Sequence, residues 1–289
     1  MKSIFDKVSQ DCSKSVTNSY STSFSLATKM LSKSIRQDIY NIYGFVRFAD
    51  EIVDTLHDYN KKELLNRFID ELNYSLKNKI STNPILNSFQ STVNKYKIDY
   101  KLIDSFLKSM KMDLKKVKYN TEKEYKEYIY GSADVVGLMC LKVFLSGNEK
   151  SFKKLKPNAM ALGSAFQKVN FLRDFNADFH DLNRTYFPNL DFKNFNEESK
   201  KIIMDDIEND FKIALNGIYE LPNNSKFGVY AAYKYYKRLL NKLKRTSHLK
   251  IKNERVRVPN YQKVDVLARS YVRYRLNILW WILFFGFCL

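Results

Sequence analysis

Glycine and proline are scarce, 8 and 5 in 289 residues, and a chain so poor in both has few tight turns. Its apolar residues recur instead every three or four positions, the period of a helix with one buried face, so a nearly all-α protein is expected. The three cysteines, Cys12, Cys140 and Cys288, are scattered and odd in number. They exclude a disulfide framework and suit a reducing cytosol. The three histidines, at 57, 180 and 248, are too dispersed for a zinc site, so any metal would be a hard cation on oxygen ligands. No GxGxxG or P-loop pattern occurs, and nucleotide binding has no motif to rest on. Lys2, Asp6, Lys7 and Asp11 interrupt the apolar residues of the N-terminus, which leaves no signal peptide and no expectation of export. There is no Gly/Ser linker and no repeat of fixed period, so one domain over 1–289 is the economical reading.

What is present is apolar, aromatic and basic. Hydrophobic residues make up 45% and aromatics 15%, enough for a substantial core. Lysine and arginine exceed aspartate and glutamate by 49 − 31 = 18 charges, so the surface should attract anions: nucleic acid, acidic lipid head groups or phosphorylated small molecules. The segment "NILWWILFFGFCL", 277–289, follows Arg269, Arg273 and Arg275. It is shorter than the roughly 18 apolar residues of a membrane span. Two readings stay open for it: the end of a core helix, or a tail dipping into the cytoplasmic membrane face and held by Trp280 and Trp281.

Periodicity predicts helices near 4–17, 34–56, 61–79, 84–96, 99–117, 122–146, 150–181, 197–220, 225–246 and 261–285. Thr121 with Glu124 forms a capping box, Gly147 follows as a stop, and Asn83 caps a helix that has Pro84 at its first position. Loops are expected at "NRTYFPNLDF", "LPNN" and "HLKIKNERVRVPN".

The chemistry is carried by two acidic helices. In "GFVRFADEIVDTLHDY", 44–59, Asp50 and Asp54 stand four apart, roughly 40° from each other on a helix, with Arg47 on the same face. A lone DxxxD is usually a solvated edge. Here Ile42, Phe45, Val46, Phe48, Ala49, Ile52 and Val53 surround it, so the carboxylates are expected to line a cavity and to need a cationic partner. In "LGSAFQKVNFLRDFNADFHDLNRTYFP", 162–188, Gln167, Asn170, Asp174 and Asp178 fall within roughly 80° as a second polar stripe. Two such seams in apolar surroundings call for neutralisation, which a cluster of Mg²⁺ ions shared with a diphosphate would provide. Arg47 and Arg173 suit phosphate oxygens, and are equally explicable as ion-pair partners of the neighbouring aspartates.

From about residue 18 to 260 these segments resemble the squalene and phytoene synthases, head-to-head prenyl synthases of the isoprenoid synthase class. "YSTSFSLATKML" is similar to that family's serine-rich segment, "IYGFVRFADEIVD" and the 162–188 stretch to its two aspartate motifs, "YIYGSADVVGLM" to its central helix, and "ERVRVP" to its C-terminal basic strip. The resemblance implies an isoprenoid synthase-type helical bundle around a central apolar cavity. It implies that Asp50, Asp54, Asn170, Asp174 and Asp178 hold Mg²⁺, with Mn²⁺ as a substitute. Ser21, Ser23, Arg47, Gln167, Arg173, Arg184, Tyr186 and Arg255 would contact diphosphate or support the residues that do. Tyr43, Tyr128 and Phe24 would face the reacting carbons. The chain departs from the family at Tyr20, where a histidine is common, and at Thr22, Ala177, Asp134 and His248.

The activity so implied is magnesium-dependent condensation of two geranylgeranyl diphosphates to phytoene through a cyclopropylcarbinyl diphosphate, in carotenoid biosynthesis. Squalene or dehydrosqualene synthesis from farnesyl diphosphate is the alternative, and a terpene cyclase a further one. The small residues Gly131, Ser132, Ala133 and Gly137 would leave room for an isoprenoid chain or allow close helix packing. A cytoplasmic protein peripheral on the inner face of an anionic membrane is expected, working beside downstream carotenoid enzymes and without nucleic acid. From another class, a non-catalytic basic helical protein binding membrane or nucleic acid would draw on "YAAYKYYKRLLNKLKR" at 230–245. Such a binder has no use for the four aspartates.

Overall fold

The protein is described by a computed structural model that covers residues 1–115, 118–180, 184–188, 190, 192–259, 261–262, 265 and 269–271. Among these residues there is no strand, only an isolated bridge between Lys118 and Thr185. The helices are α1 (Lys2–Tyr20), α2 (Thr22–Lys29), α3 (Lys33–Asp54), α4 (Lys61–Asn78), α5 (Pro84–Tyr96), α6 (Tyr100–Asp113) and α7 (Glu122–Ile129). A π-helical turn (Tyr130–Asp134) leads into α8 (Val135–Phe144), followed by α9 (Glu149–Arg173), α10 (Phe175–His180), α11 (Glu197–Glu220), α12 (Asn223–Arg245) and α13 (His248–Asn253).

Local chemistry sets these boundaries. Thr121 and Glu124 close the capping box of α7, and Asn83 accepts from the amides of Ile85 and Leu86 to start α5 at Pro84. Gly147, at φ 76°, follows α8 and turns back to donate its amide to the Lys142 carbonyl at 3.0 Å, a left-handed stop that suits glycine. Several boundaries differ from the periodic reading. The helix expected over 122–146 widens into the π-turn, which brings Ser132 and Ala133 onto a cavity wall. The one expected over 150–181 breaks at Asp174. The short α2 and α13 carry too little apolar period to be seen in sequence; Ser21 and Ser247 initiate them by accepting from the amides of Phe24 and Lys250. Most of the stretch expected as a helix over 261–285, and all of the tail 277–289, lie outside the described residues.

A hydrophobic cluster runs through the bundle. At its centre Phe45 of α3, 0% exposed, stacks on Phe89 at 4.0 Å and meets Phe68 and Phe106 at 5.8 and 5.4 Å. Each buried ring of this kind is worth about 1.5–3 kcal/mol. The α3 anchor matters because the same helix carries the first acidic pair. Helix α9, which carries the second, packs along α11. Lys168 reaches from it to Asp206 and Asp210 at 2.5 and 2.7 Å. No described helix is long and apolar enough to cross a membrane.

Candidate active site

Helices α3 and α9 run along one cavity of about 320 Å³. Its walls are apolar, formed by Tyr43 and Val46 of α3, Leu162 and Phe166 of α9, Val136 of α8 and Tyr236 of α12. From Ile39 to Asp50 the α3 wall spans about 16 Å at helical rise. Toward the C-terminal ends of these two helices the lining turns polar, with Asp50, Gln167 and Asn170, joined by Ser21 and Ser23 from the start of α2. Phe24 and Tyr43 stack at 4.5 Å within the lining.

Three helices end around this polar region. Asp54 is the last residue of α3, Asp113 the last of α6, and Asp174 follows α9 directly. A helix C-terminus carries partial negative charge, so carboxylates there deepen a negative potential that the helices already supply. The consequence is visible in the acids themselves. Burial, then the neighbouring Asp54, holds the Asp50 carboxyl well above the ordinary carboxylate range. Asp178 is pushed up to about 8 by burial and by the charges of Asp174 and Asp54, which places the two motifs against each other across the site. Asp113 is pushed up to about 7 by burial, with Arg184 opposing.

Arginines serve as internal counterions. The Asp174 carboxylate accepts from Arg173 Nε and Nη2 at 2.9 and 2.5 Å and pairs with Arg255 Nε at 2.7 Å. Arg184 Nη1 donates to Asp54 Oδ1 at 2.8 Å and lies 3.5 Å from the Tyr186 hydroxyl. Arg47 pairs with Glu51 and lies 4.4 Å over the ring of Tyr20, so the residue that departs from the family's histidine holds this arginine by cation–π attraction. Tyr236 donates its hydroxyl to Asn170 Oδ1 at 3.3 Å.

The sequence-predicted residues therefore fall into three groups. Ser21, Ser23, Phe24, Tyr43, Asp50, Gln167 and Asn170 line the cavity, while Arg173, Arg255 and Asp174, and Arg184 with Asp54, form the charged cluster. Tyr128 and Tyr186 lie outside the cavity lining. They belong to an aromatic stack with Tyr119 and Phe171 at centroid distances of 3.8 to 6.1 Å, and Tyr128 donates to Asp113 Oδ2 at 3.0 Å. Asp113 itself escaped the sequence reading. Its signal was an acid on the buried phase of α6, in register with Phe106 and Met110.

Among the described residues no three His, Cys or carboxylate groups converge on one point as they stand. The donor set is nonetheless all hard oxygen, and burial, then mutual repulsion, raises Asp50 and Asp178, a cost that a divalent cation would relieve. Magnesium takes only a few carboxylates when phosphate oxygens and water complete its shell. The residues fit that ion.

An all-α bundle with acid-bearing helices around an apolar cavity is the architecture of the isoprenoid synthase class. The family model described as squalene/phytoene synthase matches residues 17–262, and the chain belongs to that family of prenyltransferases. It is 26% identical over 292 residues to a phytoene synthase of Arthrospira platensis, spanning 92% of this chain and 94% of that protein. It is 25% identical over 197 residues to a 4,4'-diapophytoene synthase of Staphylococcus haemolyticus, 68% and 66% of the two chains. Among solved structures, a dehydrosqualene synthase in complex with ligand shares the fold at TM-score 0.80 and 21% identity, over 93% of this chain and 98% of that one. A squalene synthase of Alicyclobacillus acidocaldarius does so at 0.73 and 18%, over 84% and 95%.

Proposed function

We propose that the protein condenses two geranylgeranyl diphosphates head to head into phytoene. The observation that carries this reading is the junction of an acid- and arginine-rich cluster with an apolar cavity at the ends of α3 and α9. Likeness to phytoene synthases over more than nine-tenths of the chain supports the C20 substrate. Magnesium, or manganese in its place, would supply concentrated positive charge to the departing diphosphate, held by Asp50, Asp54, Asn170, Asp174 and Asp178.

The chain's own residues do the rest. Arg47, Arg173, Arg184 and Arg255, with Ser21, Ser23, Gln167 and Tyr186 as hydrogen-bonding neighbours, take the diphosphate oxygens as the aspartates turn to cations. The first allylic diphosphate ionises, its carbocation is captured by the double bond of the second molecule, and loss of a proton to the released pyrophosphate closes the cyclopropylcarbinyl diphosphate. A second ionisation and rearrangement gives an allylic cation, and loss of a proton to the second released pyrophosphate yields the linear hydrocarbon. Apolar walls keep water from these cations, and the faces of Phe24 and Tyr43 favour a neighbouring positive charge by about 0.5–2 kcal/mol each. The diapophytoene synthase relative supports the second reading, in which farnesyl diphosphate gives dehydrosqualene by the same proton losses, or squalene where a nicotinamide hydride donor quenches the last cation.

Incubation with Mg²⁺ and each of the C15 and C20 diphosphates, followed by identification of the hydrocarbon, separates the two. Asp50→Asn and Asp174→Asn should each lose turnover by orders of magnitude while folding normally. No hydrocarbon from either substrate, or full activity in both variants, would overturn the reading.

A product so apolar partitions into lipid, and the charge of +18 favours an anionic surface. The chain then works as a peripheral protein on the inner membrane face, where downstream carotenoid enzymes take up its product. Deleting 277–289 should lower recovery on anionic vesicles and leave activity in detergent intact; unchanged recovery removes the tail from that role.

A further inference from the structure

We infer that Asp113 is a positioning residue that retains Arg184 in the site when Asp54 turns to a cation. The inference rests on the magnesium–diphosphate reading above. A guanidinium as buried as that of Arg184, 6% exposed, must be paired. It lies between two acids of opposite accessibility. Asp54, at 2.8 Å, is 38% exposed. Asp113, at 3.8 Å, is 3% exposed. Only the first can be reached by an ion arriving from solvent. The second also offers its backbone carbonyl, which accepts from Arg184 Nη2 at 3.0 Å.

The position of Asp113 is unfavourable on local grounds alone. A carboxylate at the last residue of α6 faces the negative end of the helix dipole and is sealed from water. Tyr128, buried in its aromatic stack, fixes the carboxylate by donating to Oδ2 at 3.0 Å. That leaves Oδ1 facing Arg184. In its ionised form, an acid held so firmly beside a buried guanidinium acts as a counter-charge that solvent ions do not reach. With it, Asp54 can exchange Arg184 for a metal ion while the guanidinium stays neutralised and ready for diphosphate oxygens. Without it, Arg184 and the metal compete for the same carboxylate.

The test is calorimetric titration of Mg²⁺ into the full chain in the presence of inorganic pyrophosphate, with circular dichroism to establish folding. Asp113→Asn keeps the acceptor for Tyr128 and removes the charge; the half-saturating Mg²⁺ concentration should rise at least tenfold. Asp113→Glu should stay within about threefold of the parent, since charge is what matters. On an Arg184→Gln background, Asp113→Asn should add no further shift, the signature of a coupled pair. Should Asp113→Asn fail to fold, Asp113→Ser makes the same comparison. A parent-like titration of the charge-removed variant, or the same tenfold shift with Arg184 absent, overturns the role of Asp113 and leaves the metal reading standing. No Mg²⁺ response in the parent overturns both.

Discussion

Replacing Asp134 by asparagine should stabilise the protein at neutral pH, and by an amount that depends on pH. Asp134 closes the π-turn, is 6% exposed, and accepts from the Ser164 hydroxyl at 2.8 Å. Burial pushes its carboxyl from an ordinary 3.8 to about 7, with the Ser164 hydrogen bond opposing. For an acid raised on folding, the stability contribution is fully present below the unfolded value and is lost as pH rises through the folded one. At about 1.36 kcal/mol for each unit of pKa, the loss across that window is about 4 kcal/mol at most. Asparagine retains the acceptor for Ser164 and does not titrate. The stability gap between variant and parent, measured by urea unfolding, should therefore widen by about 2–3 kcal/mol between about pH 5 and pH 8. Other titrating acids, such as Asp50 and Asp178, are common to both proteins and cancel in the difference. Asp134 is absent from the cavity lining, so turnover should persist. A gap that is constant with pH, or a variant less stable than the parent at pH 8, would refute the reasoning.

Phe45→Ala removes the ring that stacks on Phe89 at 4.0 Å and should cost about 3–5 kcal/mol, read as a lower urea midpoint. Gly163→Ala places a methyl 2.8 Å from the Ala133 carbonyl oxygen and 3.0 Å from Asp134 Cα. Backbone cannot yield as a side chain does, so a loss of about 1–3 kcal/mol is expected, together with an altered hydrocarbon yield because Gly163 and Ala133 both line the cavity. Lys168→Met strands Asp210, whose side chain is 15% exposed, and should destabilise by about 3–5 kcal/mol. The Lys168→Met, Asp210→Asn double variant should recover part of that loss, and thermal melts of the four proteins in the cycle check it.

The parts legible in sequence were those with a period. That α3 is largely buried could be read from Phe45, Ala49 and Val53 at helical spacing, all three buried; that Asp50 would line the cavity while Asp54 stands 38% exposed could not. The stripe from Gln167 to Asp178 was legible as a helical period, although the break at Asp174 was not; there Arg255, 81 residues on, grips the carboxylate beside Arg173. Asp113 was hidden because its meaning lies in Arg184, 71 residues away, and no local pattern links them. Tyr128 was seen as a site residue, yet its ring belongs to a stack assembled from four separate segments. Single-residue period says which face is buried; it does not say which neighbour waits there.

The placement of the acids couples stability to ligand. Carboxylates gathered at the C-terminal ends of α3, α6 and α9 oppose folding through burial and mutual repulsion, as the raised Asp50, Asp113 and Asp178 show. Arg173, Arg184 and Arg255 offset part of that opposition. The same guanidiniums are those that a diphosphate would engage, so the counterions of the aspartates already stand where a leaving group would need them. Under the proposed reading cation and diphosphate would act together: a cation alone would free Arg173 and Arg255 from Asp174 with no anion to receive them, and a diphosphate alone would meet unneutralised aspartates. Binding of the pair would satisfy both sets of charges at once, and that is the physical reason to expect strong cooperativity between metal and substrate under the proposed reading.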